Sequence, residues 1–144
     1  MSDAYRVQVR TVDGGPTAVG SGGPFTVLID RPSGAAGGGR GLGFNGGQLL
    51  YLAIAGCISN DLYREAATRG IELRRVAITV DGDFPGRGAL STPIEVDVEL
   101  SGDASAEELE ALLEEVDRIA EIPNSIRQGT DVRLRARTVT QTAP

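Results

Sequence analysis

The chain has 144 residues, of which 40% are hydrophobic and 24% charged, and these proportions predict a single globular domain over residues 1–144. It has no histidine and no lysine, so all fourteen basic residues are arginine; lysine-based phosphate sites, Schiff bases and histidine catalysis are excluded. Its single cysteine excludes an internal disulfide and a thiolate zinc cluster. Its net charge of -6 argues against nucleic acid or anionic membranes as partners. We predict no metal and no cofactor, and a soluble cytoplasmic protein, because no long apolar run or secretory signal is present.

Three short strands are predicted at the N-terminal end. Tyr5, Val7 and Val9 alternate with polar residues, which is typical of a half-buried strand. The stretch 24–30 is apolar and β-branched and has glycine and proline breakers on both sides. A meander or hairpin arrangement of three strands is the simplest arrangement for this region.

A glycine-rich loop and a long helix come next. Residues 33–47 contain eight glycines, which makes an unusually long loop for a compact domain. From Gln48 onward the chain is apolar on all sides until Asn60, and Gly70 is a typical helix stop. We therefore predict a helix over 46–69 whose first half is buried.

The C-terminal half alternates strands and a helix. Residues 73–83 and 94–100 show one-sided apolar alternation and predict two strands. Ser105 and Glu108 match a capping box and open a helix predicted over 105–122. A last strand is predicted over 132–140, where Val132, Leu134 and Ala136 alternate with arginines. The order βββ-α-ββ-α-β with one-faced strands indicates an α+β fold in which helices cover antiparallel sheet.

Gly41, Gly43 and Gly46 satisfy the spacing G-x-G-x-x-G. A dinucleotide site requires this run to follow a strand directly within a parallel βαβ unit. The preceding strand is predicted to end near residue 30 and the topology is antiparallel, so we do not assign a dinucleotide site. A weaker anion site stays open, because the amides at the helix start and nearby Arg40 would favour negative charge.

Cys57 lies about three turns into the apolar helix. The usual role of such a cysteine is a small, inert core residue. A reactive thiol needs solvent access and a nearby positive charge. The sequence leaves both interpretations open.

The central helix and the residues around it resemble a known family. The residues are the motif NGGQLL at 45–50, the helix that reaches Gly56 and Cys57, the turn RGIEL at 69–73 and the strand at 76–83. Together they resemble the OsmC/Ohr family of osmotically inducible and organic-hydroperoxide-resistance proteins. The resemblance implies an OsmC-like fold, with antiparallel sheets packed on a central buried helix and a second helix. It also implies a homodimer of intertwined chains with active sites at the interface.

In family members that reduce organic hydroperoxides, the helix cysteine attacks the O–O bond, and Cys57 takes that position. The resemblance places the resolving Cys-Pro motif on Ile122 and Pro123, and an arginine-orienting glutamate on Gly47. The activating arginine belongs to a loop that here, at residues 12–15, contains none. We take Arg40 as the candidate activator, although Arg10 and Arg31 are also available.

Two functions are compatible with these departures. The first is a peroxiredoxin-like, one-cysteine peroxidase of oxidative stress defence, in which Cys57 reduces a peroxide and an external thiol recycles it. The second is an inactive OsmC-fold dimer that binds a small apolar or anionic ligand, in a pocket widened by Gly47, or has a structural role.

Overall fold

The first sheet is an antiparallel meander of β1 (Val7–Thr11), β2 (Ala18–Gly22) and β3 (Phe25–Ile29). A computed structural model describes residues 4–12 and 14–143. The three predicted N-terminal strands are confirmed. All five residues of β1 are exposed, however, so the predicted half-burial of this strand is wrong for the single chain. The alternation marks an apolar face that the described residues leave uncovered.

The glycine-rich loop between β3 and α1 folds around one buried carboxylate. Asp30 is only 3% exposed and accepts a hydrogen bond from the Thr17 hydroxyl at 3.2 Å. It also accepts from the backbone N–H groups of Arg31, Arg40 and Leu42, at 2.7, 3.3 and 3.2 Å. The loop is therefore tied to the end of β3 by a side chain to which the sequence pattern assigned no role.

The central helix α1 spans Gly46–Thr68. Asn45 Oδ1 accepts from the Gln48 N–H and Gln48 Oε1 accepts from the Asn45 N–H, both at 3.0 Å, so a reciprocal capping box starts the helix. Gly70 follows it with φ +67°, as a helix stop should. The buried apolar side chains recur every four residues and lie toward the second half: Ile54, Ile58, Leu62 and Ala66.

The predicted burial of the first half of α1 is wrong in the single chain. Leu52 is 52% exposed, and Leu49 and Leu50 are only half-buried. A helix that is apolar on all sides needs cover on all sides. The described residues cover one face of α1, which leaves the other apolar face open.

The second layer consists of a two-stranded sheet and α2. Strands β4 (Leu73–Asp81) and β5 (Glu95–Gly102) pair antiparallel, and α2 spans Ala106–Ile119. The predicted capping box is present, because Ser105 Oγ accepts from the Glu108 N–H at 3.2 Å and Glu108 Oε2 accepts from the Ser105 N–H at 2.8 Å. The core joins α1 to α2 and is formed by Ile54, Ile58, Leu62, Ala66, Leu112, Val116 and Ala120.

The predicted helix 105–122 is divided in two. Helix α2 ends at Ile119, Ala120 adopts an extended conformation, and α3 spans Glu121–Arg127. Pro123 is the third residue of α3, where a backbone N–H has no helical acceptor, so the proline costs no hydrogen bond. The proline therefore lies inside a new helix instead of ending the old one.

The last predicted strand, 132–140, is also wrong in the described chain. Residues 130–143 have no regular structure, and Val132 is 95% exposed. A strand forms only where its N–H and C=O groups bond to a neighbouring strand. In the described residues this segment pairs with no strand of either sheet. The observed order is therefore βββ-α-ββ-α-α. None of the helices in the described ranges has the length and hydropathy that a membrane span requires.

Candidate functional site

Cys57 lies on α1 at a half-buried position. Its Sγ donates toward Asp61 Oδ2 at 4.0 Å and toward Glu121 Oε2 at 3.9 Å. Residues four apart share one helix face, which is why Cys57 and Asp61 meet. The sulfur therefore touches the core on one side and polar groups on the other. We call Cys57, Asp61, Arg64 and Glu121 the thiol site.

Asp61 is a carboxylate in an otherwise apolar stripe. It is 3% exposed, and its Oδ1 forms an ion pair with Arg64 Nη1 at 2.9 Å. Burial raises the pKa of the Asp61 carboxyl above its usual range; the Arg64 guanidinium lowers it, and Glu121 and Glu65 raise it. The balance leaves Asp61 with a higher proton affinity than an ordinary aspartate.

Glu121 reaches the thiol site from another helix. Leu112, Val116 and Ala120 are fully buried against α1, and the chain turns at Ala120 so that α3 starts beside Cys57. Glu121 is the first residue of α3 and is exposed. An acidic side chain is favourable in the first turn of a helix. Packing of α2 on α1 thus brings together residues that are 64 positions apart.

The other positions suggested by the resemblance lie in α3 and in the glycine-rich loop. Ile122 follows Glu121 directly, in the first turn of α3. Arg40 lies in the glycine-rich loop, where its N–H donates to Asp30. In the described part of the chain, the hydrogen-bond partners of the sulfur are the two carboxylates, and Arg40 is not one of them. Its role as activator stays a prediction.

The expected widening of the pocket at Gly47 is wrong. A Cβ at Gly47 would lie 3.1 Å from Cε2 of Phe84. The Phe84 ring stacks on Tyr51 with centroids 6.0 Å apart, and the Tyr51 hydroxyl contacts Ser91 Oγ at 2.8 Å. The space at Gly47 is therefore filled by an aromatic side chain from the loop between β4 and β5.

A separate apolar cleft lies between α1, α3 and that loop. Its volume is about 580 Å³, within the range of small-ligand sites. Its walls include Leu50 and Ile54 of α1, Phe84 and Leu90 of the loop, and Ile126 of α3. Cys57 is not part of its lining, so ligand binding there is separable from thiol chemistry.

Cys57, Asp61 and Glu121 also offer three potential metal donor atoms, all within 4.8 Å of one another. Structural zinc sites use four cysteine or histidine ligands, whereas this chain has one cysteine and no histidine. One oxygen of Asp61 is also engaged by Arg64. We interpret the trio as a hydrogen-bonded thiol.

Sequence reasoning overlooked Asp61, Glu121 and Asp30. Asp61 carried a signal, because a charged residue four positions after Cys57 lies on the same helix face. Glu121 carried none, since its approach depends on how α2 packs on α1. Asp30 carried none either, because its hydrogen bonds to Thr17, Arg40 and Leu42 form only when the glycine-rich loop folds back on the end of β3.

Residues 37–135 match the family model described as OsmC-like protein. A comparison with curated proteins finds no match. Among solved structures, the OsmC-like protein of Mycoplasma pneumoniae superposes with a TM-score of 0.74 at 18% identity, covering 90% of this chain and 91% of that one.

Two further similar structures carry names that refer to hydroperoxides. An organic hydroperoxide resistance protein OsmC from Legionella pneumophila has a TM-score of 0.63 and 19% identity, covering 87% of this chain and 90% of that one. The organic hydroperoxide resistance protein OhrB of Bacillus subtilis has a TM-score of 0.58 and 21% identity, with 87% and 91% covered. At these identities the likeness concerns the fold.

Proposed function

The chain belongs to the OsmC-like protein family, and on this premise we propose that it reduces organic hydroperoxides through Cys57 as a one-cysteine, thiol-dependent peroxidase. The observation that carries the proposal is the position of the sulfur. The sulfur is half-buried and not enclosed by the core, which meets the need of a reactive thiol for solvent access. Its partners are carboxylates and not a positive charge, so the thiol proton has to be removed by a base during the attack. Similar folds named as organic hydroperoxide resistance proteins support the substrate class.

The reaction requires one cysteine in the chain and thiols from outside. Sγ donates an electron pair to the terminal oxygen of the hydroperoxide, the O–O bond breaks, and a sulfenic acid and an alcohol form. One external thiol converts the sulfenic acid to a mixed disulfide and water. A second thiol releases Cys57 and leaves as the external disulfide. An internal disulfide cannot form, because Cys57 is the only cysteine.

Stopped-flow measurement of thiol loss on adding cumene hydroperoxide tests this proposal, with EDTA present so that metal binding at the thiol site does not interfere. We expect wild-type Cys57 to react about 100-fold faster than free cysteine at the same pH, since positioned polar groups accelerate such proton-coupled steps by at least that factor. Mass spectrometry should show the gain of one oxygen atom. The Cys57→Ser variant should show neither change.

A wild-type rate equal to that of free cysteine would refute the peroxidase and favour the second candidate. That candidate is the binding of a small apolar ligand without chemistry, and it is supported by the cleft of about 580 Å³. An apolar fluorescent probe should then bind wild type and Cys57→Ser equally, because Cys57 does not line the cleft.

We also propose that the working form is a homodimer. Large apolar side chains are exposed on several separate elements, which is unusual for a monomer: Val7, Val9, Phe25, Leu52, Val132, Leu134 and Val139. The C-terminal segment alternates apolar and arginine residues as a strand does, yet it has no ladder in the described chain. A second copy would cover these surfaces. A cytoplasmic location, where small thiols stay reduced, also remains a prediction.

Light scattering coupled to gel filtration tests the dimer. We expect a mass of twice 15.0 kDa for the full chain. Removal of residues 131–144 should shift the mass toward one copy, because it takes away the apolar segment that we expect a partner to cover. A full chain that elutes as one copy at micromolar concentration would contradict the proposal.

A further inference from the structure

We propose that Asp61 is the general base of the thiol site, taking the proton of Cys57 as the sulfur attacks and returning it to the leaving alkoxide. The inference rests on the proposed peroxidase function and deepens it. A cationic activator is what the family resemblance leads one to expect, but the described contacts of the sulfur are with carboxylates. A carboxylate can help a thiol react by removing its proton during the attack.

Geometry favours Asp61 over Glu121 for this role. The single Sγ–H proton can be donated to either carboxylate, at nearly equal distances of 4.0 and 3.9 Å. Asp61 is buried, and its second oxygen is held by Arg64 at 2.9 Å, so Oδ2 is fixed toward the sulfur. Glu121 is exposed and its charge is screened by water. A base that is oriented by a third group matches the general pattern of an activated nucleophile.

The electrostatic surroundings fit the same role. The charged or titratable groups that face Asp61 are Cys57, Arg64 and Glu65 from α1, and Glu121 from α3. Burial, followed by repulsion from Glu121 and Glu65, outweighs the attraction of Arg64 and raises the pKa of Asp61. A carboxylate with raised proton affinity is a better acceptor for a thiol proton.

The proton and electron balance is complete within the step. The Sγ–H proton moves to Asp61 Oδ2, and the sulfur electron pair forms the S–O bond. The O–O bond pair leaves with the alkoxide, which takes the proton from Asp61 and departs as an alcohol. Cys57 is oxidised to the sulfenic acid, the hydroperoxide is reduced, and Asp61 is again a carboxylate.

The test compares Asp61→Asn with the control Asp97→Asn, at several pH values and with EDTA present. Asp97 is an exposed carboxylate of β5 and lies outside the thiol site. We expect Asp61→Asn to slow Cys57 oxidation by cumene hydroperoxide about 100-fold and to remove the acidic inflection of the pH–rate profile, whereas Asp97→Asn should leave both unchanged. Equal and small effects of the two variants would overturn the proposal, and so would a larger loss of rate in Glu121→Gln than in Asp61→Asn.

A second variant keeps the test decisive if Asp61→Asn fails to fold. Arg64→Gln alters a half-exposed side chain and removes the positive charge that lowers the pKa of Asp61. If Asp61 is the base, the acidic inflection of the wild-type profile should move to higher pH in Arg64→Gln. A merely structural role for Asp61 predicts an unmoved inflection, which would count against the proposal.

Alkylation of Cys57 by iodoacetamide requires loss of the same thiol proton but no peroxide. Its rate therefore tests the base independently of whether the protein reduces hydroperoxides. Slow alkylation in Asp61→Asn with fast alkylation in wild type would support the base even if wild type ignores hydroperoxides. Fast peroxide oxidation that is unaffected by Asp61→Asn would leave the peroxidase standing and refute the base.

Discussion

Gly43→Ala is expected to lower the free energy of unfolding by roughly 2 to 4 kcal/mol. An added Cβ would overlap the carbonyl oxygen of Leu28 and lie 2.8 Å from the nitrogen of Ile29. Both atoms belong to the backbone of β3, so they cannot rotate away. The loop would have to separate from β3, and the bonds from Phe44 N–H to Leu28 O and from Asp30 N–H to Phe44 O, both 3.0 Å, would be lost.

Gly46→Ala is the matched control, because Gly46 belongs to the same glycine run. A Cβ at Gly46 meets no atom within 4 Å, and the residue begins α1. Alanine should therefore be neutral or stabilising by up to about 1 kcal/mol. Urea denaturation of the two variants measures the contrast. Equal stabilities would show that Gly43 does not approach β3 as closely as the structure indicates.

Replacement of Asp30 is expected to release the glycine-rich loop. Asp30→Ala would leave the Thr17 hydroxyl and the N–H groups of Arg31, Arg40 and Leu42 without their common acceptor. We expect a Tm lower by about 5 to 10 °C and faster tryptic cleavage after Arg40. Asp97→Asn, at an exposed position on β5, should change neither quantity.

The effect of Asp30 should depend on pH. Burial opposes its ionisation, but hydrogen bonds from Leu42, Arg31, Arg40 and Thr17 outweigh burial and lower the pKa of the carboxyl. Because the pKa is lower in the folded state, the ionised carboxylate stabilises the fold at pH values above the unfolded-state pKa of about 3.9. This stabilisation is lost as the pH falls through the folded-state pKa. The Tm difference between wild type and Asp30→Asn should be full at pH 7 and shrink on acidification below pH 4. A difference that grows with acid would contradict the assignment.

Most of the elements could be predicted because their signals are local. The helix over 46–69 follows from apolar residues between a polar start and Gly70, and the start of α2 follows from a capping box at Ser105 and Glu108. The strands β4 and β5 follow from period-two alternation. Each of these signals lies within one continuous stretch of chain, so it can be recognised before the chain is folded.

The G-x-G-x-x-G run shows where local reading reaches its limit. Its spacing alone suggests a nucleotide site, and the antiparallel order of the strands removes the βαβ unit that such a site needs. What Gly43 does, which is to let the loop lie against β3, depends on a contact fifteen residues away. The same holds for the segment 132–140, whose alternation indicates a strand face but cannot supply the neighbouring strand.

The sequence by itself determined the α+β class, the start and end of α1, and the presence of a single thiol on that helix. Only the tertiary structure decided which residue from outside α1 reaches the thiol. Glu121 lies beside Cys57 because α2 packs against α1 through Leu112 and Val116, whereas Asp61 is a neighbour of Cys57 on the same helix face. Those contacts join residues up to 64 positions apart, and their geometry depends on how whole elements bury their apolar faces, which no short stretch of sequence encodes.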